Sequence, residues 1–89
     1  MFYVYLLESL TDGSFYVGST NDLKRRFKEY NEALNLSTQK SKPWKIIYYE
    51  ACLNLKDAHR REKWLKTTQG SRMVKARIRE YLYENRRKT

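Results

Sequence analysis

Two aromatic-rich stretches, residues 2–9 and 15–19, flank the pair Asp12-Gly13, and this arrangement constrains the chain more than any other feature. Tyrosine, valine and leucine dominate both stretches. An Asp-Gly pair between such runs is a strong hairpin signal, because glycine accepts the left-handed backbone a tight turn requires. With Asp12-Gly13 as a two-residue loop, Tyr5 opposes Thr20 and Tyr16 opposes Ser9. Odd residues of the first strand then share a face with even residues of the second. Phe2, Val4, Leu6, Phe15 and Val17 make one apolar, packing face. Tyr3, Tyr5, Leu7, Tyr16 and Gly18 make the other, with Tyr5 and Tyr16 about four residues, roughly 13 Å, apart.

Glycine and proline are scarce, three and one, so the few places where the chain can turn sharply delimit its elements. Thr20 or Asn21 can cap a helix from residue 22 to about 32, with Leu23, Phe27, Tyr30 and Leu34 at helical spacing. A polar, basic loop over 37–42 ends at Pro43. The run from Trp44 to Tyr49 reads as a third strand, and its continuous apolar character predicts a central place in the sheet. Asn54 can cap a second helix that runs to about residue 68 and ends at Gly70. A last helix over about 72–85 would bury Val74, Ile78, Tyr81 and Leu82. The order β-β-α-β-α-α predicts an α/β (α+β) fold with a small three-stranded, mainly antiparallel sheet flanked by three helices. At 89 residues the chain can hide only about 60–65% of its unfolded surface, so residues 1–89 are expected to form one domain.

Charge narrows the function. Lysine and arginine number 19 against 10 acids, a net +9, and residues 1–20 hold Glu8 and Asp12 but no base. The positive excess therefore belongs to the later helices and loops, which points to a polyanionic partner, while a merely soluble surface is the plainer alternative. Cys52 stands alone in an apolar run, as a buried thiol would, and this fits a reducing compartment. The run from Phe2 to Leu7 is too short for a signal core or a bilayer span, so a cytoplasmic location and no membrane partner are expected.

Two polar groups interrupt the packing pattern. Glu62 occupies the inward stripe of the second helix between Ala58 and Leu65. A carboxylate there needs a partner, either a structural arginine or lysine or a divalent metal ion. Arg26 borders the buried stripe of the first helix, where a restrained guanidinium suits a phosphate or a salt bridge, Glu62 itself being a candidate. Lys24, Arg25 and Lys28 can reach solvent. Tyr5 and Tyr16 fit either a substrate site or the amphipathic edge of a core, the commoner use of strand tyrosines. His59 falls on the outer side of its helix, and no histidine or cysteine cluster suggests zinc.

Tyr3-Val4-Tyr5 followed by Tyr16-Val17-Gly18 resembles the paired triplets of GIY-YIG nucleases. Asp22-Leu23 and Arg26 are similar to that family's helix signature, and Glu62 within the run 60–66 to its metal-binding glutamate. The run 43–50 is similar to the central strand of small stand-alone bacterial members, so the likeness covers nearly the whole chain. Tyr3 stands where the family has a glycine, and Tyr30 where many members have histidine and the incision domain of UvrC has tyrosine. No asparagine matches the one some members carry after the glutamate helix.

The resemblance implies a metal-dependent endonuclease that hydrolyses phosphodiester bonds in DNA, more than RNA, in repair or recombination, with one Mg²⁺ or Mn²⁺. Tyr5, Tyr16, Arg26 and Glu62 become its catalytic set. Tyr16 would activate water, Arg26 and the N–H groups of the first helix would grip the phosphate, Glu62 would hold the ion, and Tyr5 would orient water or phosphate. Lys24, Arg25, Lys28, Tyr30, Lys40 and Lys42 are the expected nucleic-acid contacts. A binding module on the same fold without turnover and a protein–protein adaptor are the competing readings.

Overall fold

The computed structural model describes residues 1–32 and 42–87, with side chains through Asn85; Leu34 and Lys40 lie outside the described residues. The elements run β1 (Phe2–Ser9), β2 (Phe15–Thr20), α1 (Leu23–Asn31), β3 (Trp44–Cys52), α2 (Leu55–Leu65), α3 (Thr68–Arg77) and α4 (Arg79–Arg87). The three strands form an antiparallel sheet in the order β2-β1-β3. This is the expected mixed architecture, with the last helical stretch divided in two at Ile78.

The centre of the sheet is β1, and β3 is an edge, contrary to the expectation from its apolar run. The physical reason lies in which strand is covered twice. Val4, Tyr5, Leu6 and Leu7 are all buried in succession, as only a strand covered on both faces can be. Val4 and Leu6 join Ala58, Leu65 and Val74 beneath α2 and α3. Tyr5 and Leu7 join Tyr30 and Trp44 beneath α1, with Tyr16, Leu23, Phe27 and Ile46 packed against them. The face carrying the phenols is therefore also a packing face. Along β3 Leu6 opposes Tyr48 and Leu7 opposes Ile46, so a bulge at Ile47 lets one strand feed both cores.

The hairpin differs from a two-residue turn. Tyr5 pairs with Gly18 and Leu7 with Tyr16, and residues 10–13 form a longer loop in which Gly13 has φ 75. Side-chain oxygens stabilise that loop. The Ser9 hydroxyl accepts from the N–H groups of Thr11 and Asp12, both at 3.1 Å, and the Asp12 carboxylate accepts from the Ser14 N–H at 2.9 Å. The shift is two residues, so the faces keep their members while the tyrosines move closer. Tyr16 now stands two residues from Tyr5 along the sheet, about 7 Å, in place of about four residues.

The helices start on capping side chains. Asp22, one or two residues beyond the expected cap, accepts from the Arg25 N–H, and Asn54 accepts from the Lys56 N–H. Gly70 does not end a helix. It is buried in the first turns of α3, whose cap Thr67 accepts the Gly70 N–H at 3.1 Å, and it lies against the end of α2, where a Cβ would come within 2.7 Å of the Leu65 Cα. The side chain of Asn31 fixes α1 to the sheet: its carbonyl accepts from the Trp44 N–H at 2.6 Å and its amide donates to the Trp44 carbonyl at 3.0 Å.

Candidate functional site

Four of the residues singled out from the sequence meet on the α1 side of the sheet. Tyr5 crosses toward the edge strand β2 over its cross-strand partner Gly18, where the missing side chain leaves room for its phenol. The Tyr5 and Tyr30 hydroxyls lie 3.1 Å apart, and the Tyr30 ring makes edge contacts with Tyr16 and Trp44, at 5.4 and 6.3 Å between centroids. The Arg26 guanidinium sits 5.0 Å above the Tyr30 ring and donates to Glu29 at 3.2 Å. Its side chain keeps 37% of its surface exposed, so one edge remains open to an incoming anion.

The protonation states follow from this packing. Burial, then its hydroxyl neighbours Tyr5 and Tyr16, push the Tyr30 phenol well above its ordinary range, so it is a neutral hydrogen-bonding group at any physiological pH. Hydrogen bonding to Tyr5 raises Arg26 further, against the opposing effect of burial, and keeps it charged. Tyr30 was expected to contact nucleic acid; with 2% of its surface exposed it instead lies in the core under Tyr5 and Tyr16. Tyr5 is equally buried. Lys24, Arg25, Lys28 and Lys42 are exposed, as is His59.

Glu62 approaches the same edge strand from α2. Ser19, which faces α2 from β2, donates to its Oε1, and the Lys66 ammonium lies 2.9 Å from its Oε2. Burial raises the Glu62 carboxyl, but Ser19 and Lys66 outweigh it and hold the group below the usual carboxylate range. Its partner is thus a lysine one turn along the helix, and Arg26 pairs with Glu29 instead. Glu62 raises the Lys66 ammonium in turn, and Lys66 lines the same surface cavity as Tyr16.

Ser19 and Lys66 were missed in the sequence. Lys66 lies four residues after Glu62, a spacing that brings side chains together on a helix, and Ser19 shares the β2 face of Val17. Among the described residues no three histidine, cysteine, aspartate or glutamate side chains gather as a metal-holding group. A single carboxylate beside a hydroxyl, already compensated by one cation, still fits a hard divalent ion that takes its other ligands from water and phosphate oxygens. Among the described residues no helix is long and apolar enough to cross a membrane.

Comparison with known proteins agrees with this geometry. Residues 1–77 match the GIY-YIG catalytic domain. The chain is 36% identical over 67 residues to a UPF0213 protein of Clostridium perfringens, covering 74% of this chain and 71% of that protein. It is 32% identical over 79 residues to a UPF0213 protein of Desulfotalea psychrophila, covering 83% and 71%. It is 32% identical over 84 residues to one of Streptococcus pneumoniae, covering 93% and 79%. No solved structure matches. The match over residues 1–77, with the paired triplets on adjacent strands β1 and β2, shows that the chain belongs to the GIY-YIG family of nuclease-type domains.

Proposed function

We propose that the protein is a divalent-metal-dependent endonuclease that hydrolyses phosphodiester bonds in DNA, with repair or recombination as its setting. The observation that carries this reading is the chain of contacts from Arg26 over the Tyr30 ring to Tyr16, which shares a cavity with Lys66, the partner of the half-buried Glu62 carboxylate. In-line attack on a phosphodiester requires a positioned water, positive charge on the non-bridging oxygens and help for the departing oxygen. Arg26 is assigned to the phosphate, because its exposed edge offers parallel N–H donors. Tyr5, too buried to meet substrate freely, hydrogen-bonds Tyr30, whose ring lies under the Arg26 guanidinium and holds it in place. Tyr16 is half-buried and is the phenol assigned to the attacking water. Glu62 and the Ser19 hydroxyl would hold the ion, which when bound supplies charge against the phosphate oxygens.

Plasmid nicking with Mg²⁺ or Mn²⁺ tests the assignment. Glu62→Ala and Arg26→Ala should each lose cutting by about a hundredfold or more while remaining folded. Retention of full cutting by either variant would sink the assigned roles. One feature favours a second reading, a binding module without turnover: Lys66 already neutralises Glu62. Such a protein would shift DNA in a salt-dependent way and cut in neither wild-type nor variant form.

A further inference from the structure

The cations expected to hold nucleic acid lie on α1 and before β3, yet a second basic surface lies on the other side of β2. A cavity of about 320 Å³ opens there between the hairpin and the α2–α3 pair; its walls are mostly apolar, and Tyr16, Lys66, Ser71 and Lys75 supply its polar groups. Tyr16 belongs to both surfaces. Its ring touches Tyr30 and Trp44 in the core beneath α1, and it also forms a wall of this cavity. A strand lying on the phenol side therefore reaches the cavity by passing the edge of β2.

We propose that this cavity takes a backbone phosphodiester of the nucleic acid, neighbouring the one to be cut; the inference rests on the nuclease reading of the Tyr16 side. Three observations support a phosphate as the occupant. The Lys75 ammonium is held 5.5 Å over the Phe15 ring and forms no ion pair among the described residues. Among the described residues no carboxylate lines the cavity. Glu8, the cross-strand partner of Phe15, is occupied by the Tyr81 hydroxyl at 2.6 Å. The Ser71 hydroxyl supplies a further donor, Lys66 being paired with Glu62, and nothing in the lining reads a base edge, so recognition is independent of sequence.

Two other surface cavities among the described residues carry carboxylates in their lining. In one, Arg61 and Arg60 are each matched by a carboxylate, Glu50 at 2.9 Å and Asp57 at 2.6 Å. The other carries Asp22 beside Lys24.

The test is anisotropy of the whole protein with a fluorescein-labelled DNA duplex in EDTA, titrated with KCl. Each phosphate contact contributes about 0.9 to the slope of log affinity against log salt. Lys75→Ala should flatten the slope by about one, which is about threefold in affinity over a fourfold rise in salt. Lys75→Arg should keep the wild-type slope, and so should Lys56→Ala, an exposed lysine at the far end of α2. The inference is overturned by an unchanged slope in Lys75→Ala, by equal flattening in Lys56→Ala, or by absence of salt-dependent binding in the wild type. If cutting depends on Glu62 but Lys75→Ala leaves the slope alone, this inference fails and the nuclease reading stands. If Lys75→Ala flattens the slope but the wild type never cuts, the reverse holds.

Discussion

At the scale of single residues, Gly18 decides whether Tyr5 can reach its place. A Cβ there would overlap the Tyr5 phenol oxygen and stand 2.6 Å from its Cζ, and the ring is walled in by Tyr30. Gly18→Ala should therefore cost about 1–3 kcal/mol in stability and disturb Arg26, seen as a lowered Tm and a loss of cutting beyond that explained by unfolding. An unchanged Tm with full cutting would mean that Tyr5 tolerates displacement. Much of this site was legible in the sequence, because Arg26 and Glu62 interrupt helical stripes where carbon belongs. Ser19 and Lys66 were not, since a serine in a strand and a lysine on a basic helix break no pattern; only the folded geometry gives them a partner. Tyr30 had the right neighbours but the wrong exposure, because helical spacing places a residue on the buried stripe without showing how deeply the sheet covers its hydroxyl.

Gly70 shows how an element can be misread at its end. A glycine after a helical run signals termination, yet here the lack of a side chain lets α3 begin directly against the backbone of α2. Any Cβ would overlap the Trp64 carbonyl oxygen, so Gly70→Ala should lower stability by about 3 kcal/mol or more in denaturant titration. The same change at Gly13, where space is open but φ is positive, should cost less, about 1 kcal/mol. Strand positions and helix order were readable from periodicity and capping residues. Register was not, because Ser9 and Asp12 side chains support a longer loop that the Asp-Gly pair alone does not reveal. The place of β3 at an edge was hidden as well, since apolar residues needed to fill a bulge look like those of a central strand.

For the molecule as a whole, acid should be the chief chemical stress. Arg61 binds both oxygens of Glu50 at 2.9 Å while stacking on Trp64, tying α2 to the edge of β3. Arg61 first, then the Tyr48 hydroxyl, hold the Glu50 carboxyl below its ordinary range against the opposing effect of burial. A carboxyl whose pKa is lower in the folded chain contributes stability that is complete above its unfolded value, about 4.3, and fades as pH falls through the folded value. Glu50→Gln should thus lower Tm near neutrality and converge with the wild type as the pH falls below the ordinary carboxylate range. A gap that persists in acid would assign the loss to packing. The two cores beneath α1 and beneath α2–α3 share one wall, the strand β1, whose successive side chains alternate between them. Neither half can melt alone without exposing the back of the other, so the edge that carries the proposed site and the supporting helices stand or fall in a single cooperative event.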